Sequence, residues 1–187
     1  PNRFDDNSDL NYLCAAGVCF MFLVALNKKL RDHNWFLDNS IEEPDLMNLL
    51  DLVSLGTVCD VVPLVGLNRA FVRQGLKVLK RKSNLGLKTL IEVCNIESSL
   101  TAYHLGYSLG PRINAGGRVG KSTHGANLLL NKSPKKAFML AADLNIYNEE
   151  RKILESELLS KILNTDYKNS ADPVVILYGK NWHEGVI

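Results

Sequence analysis

Apolar positions along the chain recur mainly with the period of an α-helix. Residues 10–30 are apolar on nearly every side, which is typical of a helix covered by other elements, and we expect it to pack against a sheet. Later apolar positions predict four further helices, at residues 44–55, 68–82, 87–94 and 101–108. Ser133-Pro134 begins a helical pattern that continues to about Leu163, which is long enough for a connector of about 45 Å.

Two segments have the pattern of strands instead. Residues 56–64 are β-branched and apolar around Asp60, and Pro63 closes the run, which predicts a short buried strand that ends in a loop. Residues 174–179 follow Asp172-Pro173 and have the pattern of the first strand of another sheet. The predicted fold class is therefore α/β, with most of the chain helical.

Composition indicates the cellular location of the protein and argues against a membrane span and a zinc site. The chain has 187 residues, of which 46% are hydrophobic, so it can bury a core. Its longest apolar run, residues 13–26, falls short of the roughly 20 residues that span a membrane, and no export signal is visible. The four cysteines form no CxxC pair and lie in apolar runs. We expect buried thiols without zinc, a cytoplasmic location and no membrane partner.

Charge is unevenly distributed, and the middle of the chain is strongly basic. Residues 61–142 hold thirteen lysines and arginines against two acidic residues, a net charge of +11, and residues 98–142 contain no acidic residue. Such a block favours a polyanionic partner, although a solvated basic helix face explains it equally well.

Asp60 is the first candidate for chemistry, because an ionised carboxylate in an apolar setting is costly unless it is paired or binds a cation. The ordinary alternative is a helix cap or half of a salt bridge. His183 follows the second predicted strand and could contact phosphate or metal, whereas an exposed loop histidine is its ordinary explanation.

A glycine-rich segment at 110–120 is the second candidate, and we expect it to form a loop. Arg112 and Arg118 lie among glycines that let a ligand approach the backbone, and arginine forks suit phosphate recognition. The alternative is a tight loop whose arginines cap carbonyl groups. The run at 116–122 is not a nucleotide-binding P-loop, because the residue five positions before Gly120 is Ala115 rather than glycine.

Taken together, these segments resemble the RecJ family of single-strand-specific 5′ to 3′ exonucleases, within the DHH phosphoesterase superfamily. The resemblance rests on five runs in the family's order: PNRFDD with LCAAGV, LDLVSLGTVCDVVPL, LGPRINAGGR, NEER and WHEGVI, at 1–18, 50–64, 109–118, 148–151 and 182–187. Arg69 and the run VRQG at 72–75 continue the match. Gly116 departs from the pattern, since the family has a somewhat bulkier small residue there, and we expect its loop to be freer.

The resemblance implies two Mn²⁺ or Mg²⁺ ions in the intact enzyme, with Asp60 as one metal-binding, catalytic carboxylate. It implies that Arg112, Asn114, Arg118 and His183 contact single-stranded DNA, and that a helicase and a single-strand-binding protein are partners. These roles require Asp60 and the two arginines to converge on one cleft. Tyr103 and Tyr107 could stack on bases, although aromatic residues four apart on a helix belong more often to a core.

The resemblance also divides the chain. It implies the C-terminal part of a DHH domain at 1–72, a basic helical region at 73–142, a connector helix at 143–170 and the start of a DHHA1-type domain at 171–187. The DHH triplet and the aspartate-rich motifs that precede it are not among these residues, so we expect the chain alone to be inactive. The alternatives are a phosphoesterase of short oligonucleotides or dinucleotides, and a non-catalytic nucleic-acid-binding module.

Overall fold

Helices dominate the part of the chain that the structure, a computed structural model, describes: residues 4–164, 174, 176–179 and 182. The first half holds α1 (Ala15–Asp32), α2 (Trp35–Asp38), a 3₁₀ turn (Leu46–Leu49), α3 (Leu50–Cys59) and α4 (Gly66–Leu79). The second half holds α5 (Leu85–Val93), α6 (Ala102–His104), a π-helical turn (Leu105–Leu109), α7 (Gly110–Val119), α8 (His124–Leu130) and α9 (Pro134–Leu163). The prediction of a mostly helical chain is confirmed.

α3 lies at the centre of the described fold, because it contributes, together with α4, to both hydrophobic clusters. Leu50 and Val53 pack with Phe20 of α1 and Phe71 of α4 in one cluster. Leu55 belongs to a second, larger cluster formed with α5, α8, α9 and the π-helical turn. The position of α3 therefore determines how the two halves of the described chain meet.

Glycines let the neighbouring helices approach α3 closely. A Cβ atom at Gly75 of α4 would lie 2.2 Å from the carbonyl oxygen of Leu50, and one at Gly56 of α3 would lie 2.8 Å from the Cβ of Ala16 in α1. Both distances are shorter than real Cβ contacts allow. Any side chain at either position would push a neighbouring helix away.

The predicted strand at 56–64 is wrong, since α3 continues through Cys59. Its β-branched residues are accommodated in the helix, where the Thr57 hydroxyl donates to the Val53 carbonyl oxygen at 2.7 Å. Packing on both faces of α3 thus overrides the strand propensity of these residues. The described residues at 174 and 176–179 lie outside any strand, and the described ranges offer no sheet for α1 to pack against.

The predicted loop at 110–120 is also wrong, because α6, the π-helical turn and α7 form one continuous helix from 102 to 119. Pro111 is tolerated directly after the π-helical turn, where the regular hydrogen-bond ladder is already interrupted. Gly116 does not loosen this segment. It is buried, and a Cβ atom there would lie 2.8 Å from the carbonyl oxygen of Lys121.

Two further helices differ in detail from their predictions. α4 begins at Gly66, two residues before the predicted start at 68. The buried Nδ2 of Asn68 donates to the carbonyl oxygens of Tyr12 and Pro63 at 2.8 and 2.9 Å. α1 is not covered on every side by the described residues, since Phe22 is 64% exposed and Cys19 is exposed as well.

α9 has the predicted start and end and contains 30 residues. No helix among residues 4–164 combines the length and the apolar character that crossing a membrane requires. The division of the chain into four domains stays a prediction.

Candidate nucleic-acid and metal site

A cavity of about 170 Å³ lies where the end of α3 meets the continuous helix at 102–119 and α9. It has a polar, positively charged wall and a floor of small residues. The residues that line it are Cys59, Gly106, Gly110, Pro111, Asn114, Arg118 and Arg151. We refer to it as the arginine cavity.

The floor of the arginine cavity exists because two glycines admit the end of α3. A Cβ atom at Gly110 would lie 2.4 Å from the Cys59 sulfur, and one at Gly106 would lie 3.2 Å from a methyl carbon of Val58. The Cys59 thiol also donates to the carbonyl oxygen of Leu105, 3.7 Å away. These contacts hold the residues just before Asp60 against the helix that carries Asn114 and Arg118.

Asp60 is the C-cap of α3 and is exposed. The expectation of an apolar, buried setting is therefore wrong, and desolvation is not what makes this carboxylate notable. The C-terminal end of a helix carries partial negative charge, so an anionic side chain there is unfavourable by about 0.3–1 kcal/mol. A nearby cation would relieve that repulsion.

Val61 follows Asp60 in a left-handed backbone conformation, with φ of 55°. A β-branched residue is rare there, because its Cβ approaches the following carbonyl oxygen at a cost of about 1–2 kcal/mol. The Val61 side chain is 87% exposed, so packing does not offset this cost. Backbone strain of this kind is concentrated at functional sites.

Arginine side chains from two helices face the arginine cavity. Arg118 and Asn114 reach it from the exposed side of α7. Arg151 reaches it from α9, and its Nη1 donates to Glu155 Oε2 at 2.7 Å. The Nε of Arg151 is buried and has no hydrogen-bond partner among the described residues.

Arg112 does not line the arginine cavity. Its Nε donates to Asn145 Oδ1 and its Nη1 to the carbonyl oxygen of Ser108, each at 2.8 Å, so it ties α7 to α9. The structure thus brings the end of α3 together with Asn114 and Arg118, and uses Arg112 in a different place. A direct DNA contact by Arg112 stays a prediction.

Cys59 is an inert group in this position. Burial, the neighbouring Asp60 charge and Cys14 raise the pKa of the Cys59 thiol to about 11. The thiol is therefore protonated at neutral pH, and it serves as a small packing group and hydrogen-bond donor rather than as a nucleophile.

Sequence reasoning missed Arg151 as a cavity residue. Buried positions along α9 recur at 137, 141, 144 and 148, which is the spacing of one helix face. Arg151 lies three residues after Asn148 on the same face. The spacing of the buried positions therefore indicates that Arg151 faces inward. His183 lies outside the described residues.

A complete metal site is not formed by the described residues. Among them, no group of three or more histidines, cysteines, aspartates or glutamates lies close enough to hold a metal ion. Asp60 fits one carboxylate ligand, and a divalent ion needs more.

Curated relatives that are named RecJ match the whole of this chain. No family model matches the chain. Over alignments of 194 residues that cover all of it, the chain is 38% identical to the single-stranded-DNA-specific exonuclease RecJ of Dickeya dadantii and 39% identical to that of Escherichia coli. This chain matches an internal segment of RecJ along its whole length. It spans about a third of the length of these RecJ relatives, 34% in both cases.

Solved RecJ structures agree with the fold. RecJ of Thermus thermophilus in complex with Mg²⁺ matches with a TM-score of 0.68 and 33% identity, over 84% of this chain and 23% of that one. A structure of exonuclease RecJ bound to manganese matches with a TM-score of 0.67 and 33% identity, over 79% of this chain and 35% of that one.

Proposed function

We propose that this chain is part of a 5′ to 3′ exonuclease that hydrolyses single-stranded DNA in repair and recombination. The observation that carries the proposal is the meeting of the Asp60 end of α3 with a cavity walled by Arg118 and Arg151. The whole-length similarity to single-stranded-DNA-specific exonucleases supports it.

In this proposal the arginine cavity holds a backbone phosphate of the strand. The guanidinium groups of Arg118 and Arg151 provide charge-assisted hydrogen bonds, and the Asn114 amide is an additional donor. Arg112 then acts by fixing α7 to α9, besides any direct contact with the strand.

Basic side chains beyond the cavity extend the attraction. Arg69, Arg73 and Lys77 are exposed on α4. Lys121 and Lys136 line a groove of about 630 Å³ between α8 and α9. Such a distribution steers a polyanion toward the site without reading its sequence.

We further propose that Asp60 contributes one ligand to a site for Mg²⁺ or Mn²⁺, the ions named for the RecJ structures. The described residues do not by themselves form a complete set of ligands for such a site. A bound ion of this kind supplies Lewis-acid activation of water. On this basis the 187-residue chain alone is expected to hydrolyse no DNA.

A helicase and a single-strand-binding protein as partners, and a cytoplasmic location, remain predictions. The four cysteines are free thiols, which suits a reducing compartment.

The test uses the full-length protein with Mn²⁺ and an end-labelled single-stranded oligonucleotide. Asp60→Asn is expected to abolish hydrolysis while binding, measured with EDTA, is retained. Asp32→Asn, at an exposed carboxylate on α1, is the matched control and is expected to leave both unchanged.

Arg118→Gln is expected to weaken binding of every sequence and to reduce the salt slope by about 1. Lys29→Gln on α1 is its control. Full activity of Asp60→Asn would exclude this role of Asp60. Cleavage of dinucleotides but not of long single strands would favour the oligonucleotide phosphoesterase instead.

A further inference from the structure

Two tyrosines on the helix of the arginine cavity are exposed and stacked on each other. The rings of Tyr103 and Tyr107 have centroids 4.9 Å apart and planes inclined by 27°. Their side chains are 64% and 73% exposed. The expectation that aromatic residues with this spacing belong to a core is therefore wrong here. Leaving two large rings exposed to water is unfavourable, and exposed apolar surfaces of this kind are commonly binding surfaces.

The column is held in place by its own helix. Thr101 and His104 form a reciprocal capping box at the start of α6, and the His104 ring makes an edge contact with Tyr103. Tyr107 lies within the π-helical turn. Turns of this type recur at functional sites in helices.

The column also leads toward the arginine cavity. Gly106 precedes Tyr107, Pro111 follows one turn later, and both line the cavity. The series Tyr103, Tyr107, Pro111, Asn114 and Arg118 advances by four, four, three and four residues, which is the spacing of one helix face. Aromatic rings therefore stand at one end of a stripe whose other end carries phosphate-binding groups.

The charge around this stripe indicates which kind of ligand it can bind. Residues 98–142 contain no acidic residue, so nothing in this segment repels a polyanion. Single-strand binders combine a positive track for the backbone with aromatic rings on which successive bases stack. A nucleobase can extend the Tyr103–Tyr107 column on an outer ring face.

We propose that Tyr103 and Tyr107 form a platform for nucleobases of a single strand whose phosphate occupies the arginine cavity. The inference rests on the proposed function and adds a base-binding subsite to it. Stacking does not depend on base identity, because every base has a π-face. The platform thus suits an enzyme that must accept any sequence.

The experiment compares two probes of equal length, an oligothymidylate and an abasic oligonucleotide, with the full-length protein in EDTA. Tyr107→Ala and Tyr103→Ala are each expected to weaken oligothymidylate binding by about 5- to 150-fold. Binding of the abasic probe should change little. Tyr107→Phe and Tyr103→Phe keep the rings and should retain affinity. Phe22→Ala, at an aromatic side chain with 64% exposure on α1, is the matched control.

Three results would overturn the platform. Equal losses on both probes would show that the tyrosines act on the phosphate track or on folding. Unchanged affinity together with a lowered thermal midpoint would show that another part of the protein covers them. Binding of neither probe by the wild type would sink the proposed function itself, and the platform with it.

Discussion

The carbonyl oxygen of Leu105 accepts hydrogen bonds from two helices: from the Cys59 thiol at 3.7 Å, and from the backbone N–H of Gly110 five residues later in its own helix. The second bond has the π-helical spacing, so the extra residue of the turn presents this acceptor to α3. Two features therefore fix the end of α3, and with it Asp60, relative to the arginine cavity: the Leu105 carbonyl oxygen that both helices share, and the absence of a side chain at Gly110.

Gly110→Ala is expected to destabilise the protein, because its Cβ would meet the Cys59 sulfur at 2.4 Å and the Leu105 carbonyl oxygen at 2.9 Å. Overpacking of this kind costs about 1–3 kcal/mol. Denaturant unfolding of the full-length protein measures the change. Gly117→Ala is the control, since a Cβ there meets nothing within 4 Å, and it is expected to stabilise α7 by up to about 1 kcal/mol. Equal effects of the two substitutions would refute the close contact.

Val61→Gly is expected to raise the free energy of unfolding by up to about 1.5 kcal/mol. Glycine relieves the strain of the left-handed conformation, about 1–2 kcal/mol. Its greater freedom in the unfolded chain opposes folding and offsets about 0.5–1 kcal/mol of this stabilisation. Val24→Gly, within α1, should destabilise instead, because no strain is relieved there. Loss of stability in Val61→Gly would show that the turn is not strained.

Asp51→Asn is expected to stabilise the protein at pH 7 and to have little effect at pH 3.5. Burial raises the pKa of the Asp51 carboxyl in the folded state, so ionisation opposes folding once the pH exceeds the unfolded-state value of about 3.9. At pH 3.5 the carboxyl is mostly neutral in both states, so the amide gains little. The amide oxygen can still accept the Leu52 N–H.

Unfolding free energies at the two pH values, compared with those of the exposed Asp38→Asn, decide the Asp51 prediction. A gain that is the same at both pH values would mean that ionisation of Asp51 is not its cause.

Cys59 is expected to react with iodoacetamide at pH 8 far more slowly than the exposed Cys19. A thiol with a pKa of about 11 is ionised only to roughly one part in a thousand at that pH, and the thiolate is the reactive form. Peptide mapping by mass spectrometry over time measures both rates. Asp60→Asn should speed the reaction of Cys59, since the Asp60 charge contributes to the raised pKa. Comparable rates for the two cysteines in the wild type would contradict the expectation.

The helical pattern of apolar residues was sufficient to predict α9 from end to end and the body of α4. It failed at 56–64 and 110–120, where composition pointed to a strand and a loop. At both places local preference is overridden by packing: α3 is enclosed by neighbours on both faces, and Gly110 and Gly116 of α7 make close contacts. Such contacts involve residues far apart in sequence, so no local pattern reveals them.

The candidate site was predictable by residue type but not by geometry. Residue type points to Asp60 and Arg118, and the resemblance adds Asn114; the structure brings Asn114 and Arg118 to the end of α3. Arg112 is equally suitable in type and is used as a tie to Asn145 instead. Arg151 belongs to the run NEER of the resemblance and to the inward face of α9, but its distance from Arg118 in sequence hides their shared cavity.

The glycine contacts of α3 differ in what can compensate for their loss. Gly110 faces a side-chain sulfur as well as a carbonyl, so a smaller residue at position 59 would partly restore room for a methyl group. Gly75 faces the carbonyl oxygen of Leu50 at 2.2 Å, and no exchange of side chains moves a main-chain atom aside. Substitutions at positions 59 and 110 can therefore compensate for each other during evolution. Where α3 crosses α4, no second substitution can compensate for a side chain at position 75.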